Sequence, residues 1–220
     1  MDVYHGVSVP DPYRWLEDVD SPETRAWVEA QGRLTSEYLA KIPERDAIRE
    51  RVTRLVNRER YDVPVKEGGR YFYLMNTGLQ NQDVLYVTDS LAGKARVLLD
   101  PNALSPDGTV SIDAWEPSPD GRDLAYALAT AGSDWAEWHV RDVTTGEDLM
   151  DHLKWAKFSG AAWTHDSKGF FYERFPEPRA GEELSGVTQN QKLYYHRLGD
   201  KQADDILIYE RPDHPEWYVW

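Results

Sequence analysis

The groups able to do chemistry in this 220-residue chain are its serines, six histidines and 39 carboxylates; it has no cysteine. Without thiols there is no disulfide framework, no thiolate nucleophile and no cysteine-bound zinc or iron–sulfur centre. A hydrolase serine is presented by a Gly-x-Ser-x-Gly elbow between a strand and a helix. The nearest string, Gly6-Val7-Ser8-Val9-Pro10, fails at its last position and no helix follows it. His5, His139, His152, His165, His196 and His214 are scattered, and none has the His-x-x-x-His or His-Glu-x-x-His spacing of a zinc helix. Asp200, Asp204 and Asp205 surround a turn but lack the ligand spacing of a calcium loop. No glycine-rich phosphate loop or dinucleotide fingerprint is present. Taken alone, the residues assign no catalytic group, no metal ligand and no cofactor.

Other candidates read more simply as structure. His165 beside Asp166 falls in a hairpin turn, and His214 lies in a loop between Asp213 and Pro215. Trp115 and Trp163 recur at an interval that suits packing better than ligand stacking. Glu17, Asp18 and Asp20 form a solvated approach to a helix cap.

The elements that must position any site follow from local signals. Residues 1–20 hold two prolines and read as an extended, ordered lead-in. Ser21-Pro22-Glu23 supplies a capping side chain, a proline at the first helical position and an acid at the positive dipole end. Trp27, Ala30, Leu34 and Tyr38 then lie on one stripe, and Ile48, Val52, Leu55 and Val56 on another. Two antiparallel helices are expected, over about 22–40 and 44–58.

From residue 60 onward, short runs rich in Val, Tyr, Phe and Leu alternate with turn signals, so antiparallel strands are expected to the end. The expected strands are 61–66, 71–76, 83–89, 95–99, 110–116, 123–129, 136–143, 155–163, 170–175, 191–198 and 204–210. Glu67 to Tyr73, Asp120 to Tyr126 and Asp166 to Tyr172 share one pattern: an acid, a Gly/Arg/Lys turn and an apolar strand reaching Tyr. The intervals of 53 and 46 residues match four-stranded propeller blades, and a sandwich has no reason to repeat this way. About three blades fit, whereas a closed ring needs about 4–8. The chain is therefore expected to be an incomplete piece, stopping inside the apolar run Trp217-Tyr218-Val219-Trp220.

Composition narrows the classes further. Twenty-five basic against 39 acidic residues leave a net charge of −14, which disfavours nucleic acid as a partner. No apolar run is long enough for a membrane span, and the acidic first twenty residues do not read as a signal peptide. A cytoplasmic protein is expected, or a periplasmic one if a leader has been removed.

In its ordered strings the chain resembles the prolyl oligopeptidase family. The strings include Tyr4-His5-Gly6, Asp11-Pro12-Tyr13-Arg14-Trp15-Leu16-Glu17-Asp18, Arg70-Tyr71-Phe72-Tyr73, Asn76-Thr77-Gly78-Leu79-Gln80-Asn81-Gln82, Gly132-Ser133-Asp134-Trp135, Lys157-Phe158-Ser159, Trp163-Thr164-His165-Asp166 and Lys192-Leu193-Tyr194-Tyr195-His196. The resemblance runs the length of the chain. It implies a mostly β fold: residues 58–220 as the opening blades of a seven-bladed propeller, after a helical segment, 1–57, belonging to an α/β-hydrolase domain.

It further implies a serine endopeptidase that cuts short peptides after proline, monomeric when intact, with its triad beyond this segment. Two residues carry over to the pocket for the third residue upstream of the cut: Phe158, and Tyr218 after Trp217. Methionine is familiar at the second position, so Tyr218 departs from the pattern towards a bulkier, more polar wall. A sibling peptidase cutting after basic residues, and a non-catalytic propeller that binds a peptide or protein, stay open as alternatives; Gly78-Leu79-Gln80-Asn81-Gln82 favours the prolyl member.

Overall fold

A computed structural model describes residues 1–184 and 186–219, so the end of the apolar run, Trp220, lies outside the described residues. Two compact units divide the chain, Met1–Leu55 and Val56–Trp220.

The first unit opens with a hairpin, β1 (Asp2–Tyr4) and β2 (Val7–Val9), where sequence reading expects only an extended lead-in. His5 and Gly6 both have positive φ between the paired Tyr4 and Val7, the geometry of a two-residue type I′ turn. Ser8 is thus a strand residue. Helix α1 (Pro22–Ala40) starts as its cap signals predict: the Ser21 side chain accepts from the Thr24 backbone N–H at 3.2 Å. The lead-in docks on α1 through an edge-on contact of Trp15 with Trp27 and a hydrogen bond from the Thr24 hydroxyl to the Trp15 carbonyl. Helix α2 spans Arg45–Val56. The stripe residues Leu34, Tyr38, Ile48, Val52 and Leu55 stay exposed.

The second unit is three antiparallel meanders. The first combines β3 (Arg60–Tyr61) and β4 (Val65–Glu67), both paired to β5 (Arg70–Asn76), with β6 (Val84–Thr88) and β7 (Arg96–Leu99). A short helix α3 (Pro101–Leu104), capped by Asp100, leads to the second. That meander runs β8 (Val110–Pro117), β9 (Asp123–Thr130), β10 (Ala136–Asp142) and β11 (Asp148–Ala156). The third runs β12 (Ala161–Trp163), β13 (Gly169–Arg174), β14 (Lys192–Arg197) and β15 (Ile206–Tyr209). The expected strand 155–163 is in fact the end of β11, a sharp loop and β12, and most of β11 was not foreseen. A 3-10 turn at Gln202–Asp204 takes the first residue of the expected strand 204–210, and the observed strand starts at Ile206.

The sheets stack as blades, with a core between each neighbouring pair. Phe72, Leu85 and Leu99 of the first pack on Leu124, Tyr126 and Val143 of the second, with Trp115 against them. Ala125, Trp138 and Leu153 of the second pack on Phe170 and Tyr172 of the third, with Trp163 against them. Both tryptophans thus pack between blades. Leu124, Ala125, Tyr126 and Ala127 are buried in succession because β9 has a blade on either side. A strand covered on both faces has no need to alternate.

The repeated acids have a local cause. Asp120 accepts from the Ser118 hydroxyl and the Arg122 backbone N–H; Asp166 accepts from the Thr164 hydroxyl and the Lys168 backbone N–H. Each closes the same turn. Glu67 has no such role, because Gly68 and Gly69 make a two-residue hairpin there. The shorter turn shifts the strand by one position, so Phe72, not Tyr73, is the buried counterpart of Tyr126 and Tyr172.

Candidate functional site

Five aromatic rings converge where the loops of the second and third blades meet. They form a continuous series. Trp155 meets Trp135 edge-on at 5.8 Å, Trp135 meets Phe175 at 6.2 Å, Phe175 meets Tyr218 at 5.7 Å, and Tyr218 meets Phe158 at 5.9 Å. Phe158 and Tyr218 stand together although sixty residues separate them in sequence. Both lie in loops rather than strands, and both keep a free face, at 44% and 40% exposure.

Backbone geometry explains how Phe158 is presented. The β10–β11 ladder slips register between the Trp138–Leu153 and Ala136–Ala156 pairs. Trp155, at this bulge, has φ of +64°, and Phe158 follows with φ of +53°. For aromatic residues such left-handed backbone costs about 1–3 kcal/mol each, which the surrounding contacts must offset. Phe175 supplies one such contact, its backbone N–H donating to the Trp155 carbonyl at 2.9 Å. Buried Gln191 supplies another: its amide donates to the Lys157 carbonyl at 3.4 Å and accepts from the Val219 N–H at 2.7 Å. The Asn190 N–H donates to the Pro215 carbonyl, and His214 stacks on Trp217 at 4.0 Å. These ties bring residue 218 to residue 158.

Lys157 gives the cluster a charge. Its ammonium lies 4.8 Å above the Trp135 ring and 5.8 Å from the Phe158 ring, with Asp134 at 3.9 Å; the side chain is only 15% exposed. Cation–π attraction suits this largely desolvated position. Glu173 accepts from the Gly160 N–H at 3.2 Å, and burial holds its carboxyl above the usual range. A cavity of about 400 Å³ adjoins the rings, lined by Trp135, Phe175, Glu182 and the stretches 176–179 and 186–190. A second cavity, of about 280 Å³, is flanked by Arg70, Lys94 and Arg96. There Arg70 is already bound to the Gly121 carbonyl and Arg96 to that of Val143, so these two cations serve the blade junction.

Sequence reading named Phe158 and Tyr218 but missed Trp135, Trp155, Lys157 and Phe175. It also missed a buried ionic network. His196 on β14 is fully buried between Asp151 of β11, at 2.9 Å, and Asp205, at 2.7 Å. The Tyr172 hydroxyl donates to Asp205 at 2.6 Å, and the Gly199 N–H donates to Asp151 at 2.7 Å. Burial opposes charge on His196, but hydrogen bonds and ion pairs with the two carboxylates outweigh it and push its pKa up to about 9. The imidazolium joins the second blade to the third. It has no open face for a substrate. In the hairpin turn, Asp166 serves Thr164 and Lys168 rather than His165.

Comparison with known proteins places these observations. The prolyl oligopeptidase N-terminal β-propeller domain matches residues 1–220. A prolyl endopeptidase of Elizabethkingia meningoseptica is 41% identical across 99% of this chain and 31% of its own length. Prolyl oligopeptidase A of Amanita bisporigera is 34% identical across 96% of the chain and 31% of its own length. A solved prolyl endopeptidase superposes with a TM-score of 0.86 at 38% identity, covering 96% of this chain and 31% of that one. Prolyl oligopeptidase B from Galerina marginata, bound to a 25mer macrocyclization substrate, gives 0.82 at 33% identity, covering 96% and 32%. The chain spans about a third of the length of these relatives. With three stacked antiparallel blades and a family match along its whole length, the chain belongs to the prolyl oligopeptidase family and forms part of its N-terminal β-propeller.

Proposed function

We propose that this chain is the N-terminal portion of a serine endopeptidase that hydrolyses short peptides after proline. Residues 1–57 are then a helical arm of the hydrolase domain, and residues 58–220 the first blades of a propeller that restricts access to the active site. The catalytic triad is carried outside these 220 residues. Exposed apolar side chains support this: Leu34, Tyr38, Ile48 and Val52 on the helices, and Ile206, Leu207, Ile208 and Tyr209 along β15, offer surface for further parts of the protein.

One observation carries the reading of the site: Phe158 and Tyr218 form a single apolar wall with free faces, in a chain of this family. We assign that wall to the substrate residue two positions before proline. Fully burying a phenylalanine is worth about 1.5–3 kcal/mol. With 44% of Phe158 still exposed, substrate has roughly 0.7–1.3 kcal/mol left to gain. In the intact protein, Phe158→Ala should lower the specificity constant about three- to tenfold for a long proline substrate with an apolar residue there. A substrate truncated at that end should be unaffected. An equal loss on both would remove Phe158 from the pocket.

A further inference from the structure

The outer strands of the second blade carry a cluster of a different chemistry. Glu137 and His139 are two residues apart on β10 and so share a face. His152, on β11, is the direct cross-strand partner of His139. Their rings stack at 4.7 Å, and the His152 Nε2 meets a Glu137 carboxylate oxygen at 2.5 Å. One ligating atom from each of the three residues lies within 4.8 Å of the others.

We propose that Glu137, His139 and His152 form a binding site for a late first-row divalent cation such as Zn²⁺. Two imidazole nitrogens and one carboxylate oxygen suit these ions and leave coordination positions for water. Mg²⁺ and Ca²⁺, which demand oxygen donors, are excluded on the same ground. Bonds of about 2.0–2.2 Å place donors around one zinc ion roughly 3.3 Å apart. The side chains of Glu137 and His152 are 48% and 41% exposed, which leaves them room to change rotamer around an ion.

His139 is the fixed member. Its ring stacks on Tyr126 at 5.4 Å, the Tyr126 hydroxyl donates to Asp148 at 2.9 Å, and Asp148 is gripped by two nitrogens of Arg141. Lys154 opposes the ion, its ammonium lying 3.9 Å from Glu137. A bound cation would fasten β11, the edge strand of its sheet, to β10.

The test uses the intact protein, stripped with a chelator and dialysed against buffered Zn²⁺, with the metal content measured directly. One equivalent should bind in the micromolar range, unaffected by excess Mg²⁺. His152→Ala and Glu137→Gln should each weaken that equivalent by roughly tenfold or more. Lys154→Ala should tighten it. A zinc-dependent rise in thermal midpoint should vanish in His152→Ala, while the metal-free midpoint, set by other contacts, stays near wild type. Zinc content unchanged in His152→Ala and Glu137→Gln, or no equivalent bound at 100-fold higher zinc, would overturn the assignment.

Discussion

The ionic pin at His196 makes stability depend on pH in an unusual direction. Its pKa of about 9 in the folded state exceeds the ordinary 6.5 by about 2.5 units, equivalent to about 3 kcal/mol. Because folding raises the pKa, this stability is fully present below pH 6.5 and is lost as pH climbs through 9. The second unit should therefore weaken across pH 6.5–9, where most proteins keep a plateau. With about 2–4 °C per kcal/mol for a unit of this size, the midpoint should fall by about 6–12 °C. Asp151 acts at the other extreme. Burial raises its pKa, but hydrogen bonds from His196 and Gly199 win and lower it, so its contribution is lost in acid rather than in this window.

Urea titrations at closely spaced pH values, read by tryptophan fluorescence, would measure the slope, and NMR of the imidazole C–H would locate the titration itself. Changing His196 alone would leave two buried carboxylates unpaired, a loss of about 3–5 kcal/mol that invites unfolding. Combining His196→Gln with Asp151→Asn and Asp205→Asn replaces all three charges by neutral amides, and should flatten the alkaline limb. A wild-type slope of zero between pH 6.5 and 9 would refute the pin. So would a triple variant that keeps the wild-type slope.

Two further outcomes follow from the blade junctions and the missing chemistry. A Cβ on Gly68 would sit 2.0 Å from the Asp120 carbonyl oxygen at φ of +53°, whereas one on Gly69 meets nothing within 4 Å. In urea titrations Gly69→Ala should therefore cost about 1–2 kcal/mol for left-handed backbone, and Gly68→Ala clearly more, by prising the first blade from the second; equal losses would show that this junction does not tighten the fold. The 220-residue chain alone should not turn over a chromogenic proline substrate, since it carries no nucleophile elbow; turnover would place the chemistry inside this segment.

Blades were legible because their turns are local chemistry. Asp120 and Asp166 close identical turns within a few residues, and Ser21 caps α1 three residues away. Strand β11 was not legible. Its inward positions include Asp151, which breaks the apolar alternation, and the partner that makes a buried aspartate tolerable lies 45 residues downstream. The aromatic site was half legible, since Phe158 and Tyr218 came from family strings, whereas Trp135 and Phe175 join them only through loop geometry.

These long-range partners are nevertheless not arbitrary. Gly199 reaches Asp151, Gln202 reaches Lys154 and the Glu183 carbonyl reaches Trp135, each across 48 residues; Trp163 reaches the Glu116 carbonyl across 47. Equivalent edges of stacked blades face one another, so a polar residue in one blade finds its partner about one blade later. The interval that locates the blades therefore also predicts where a buried charge must look for its counterion. Applied to Asp151, it points to the stretch around residue 199, where His196 lies.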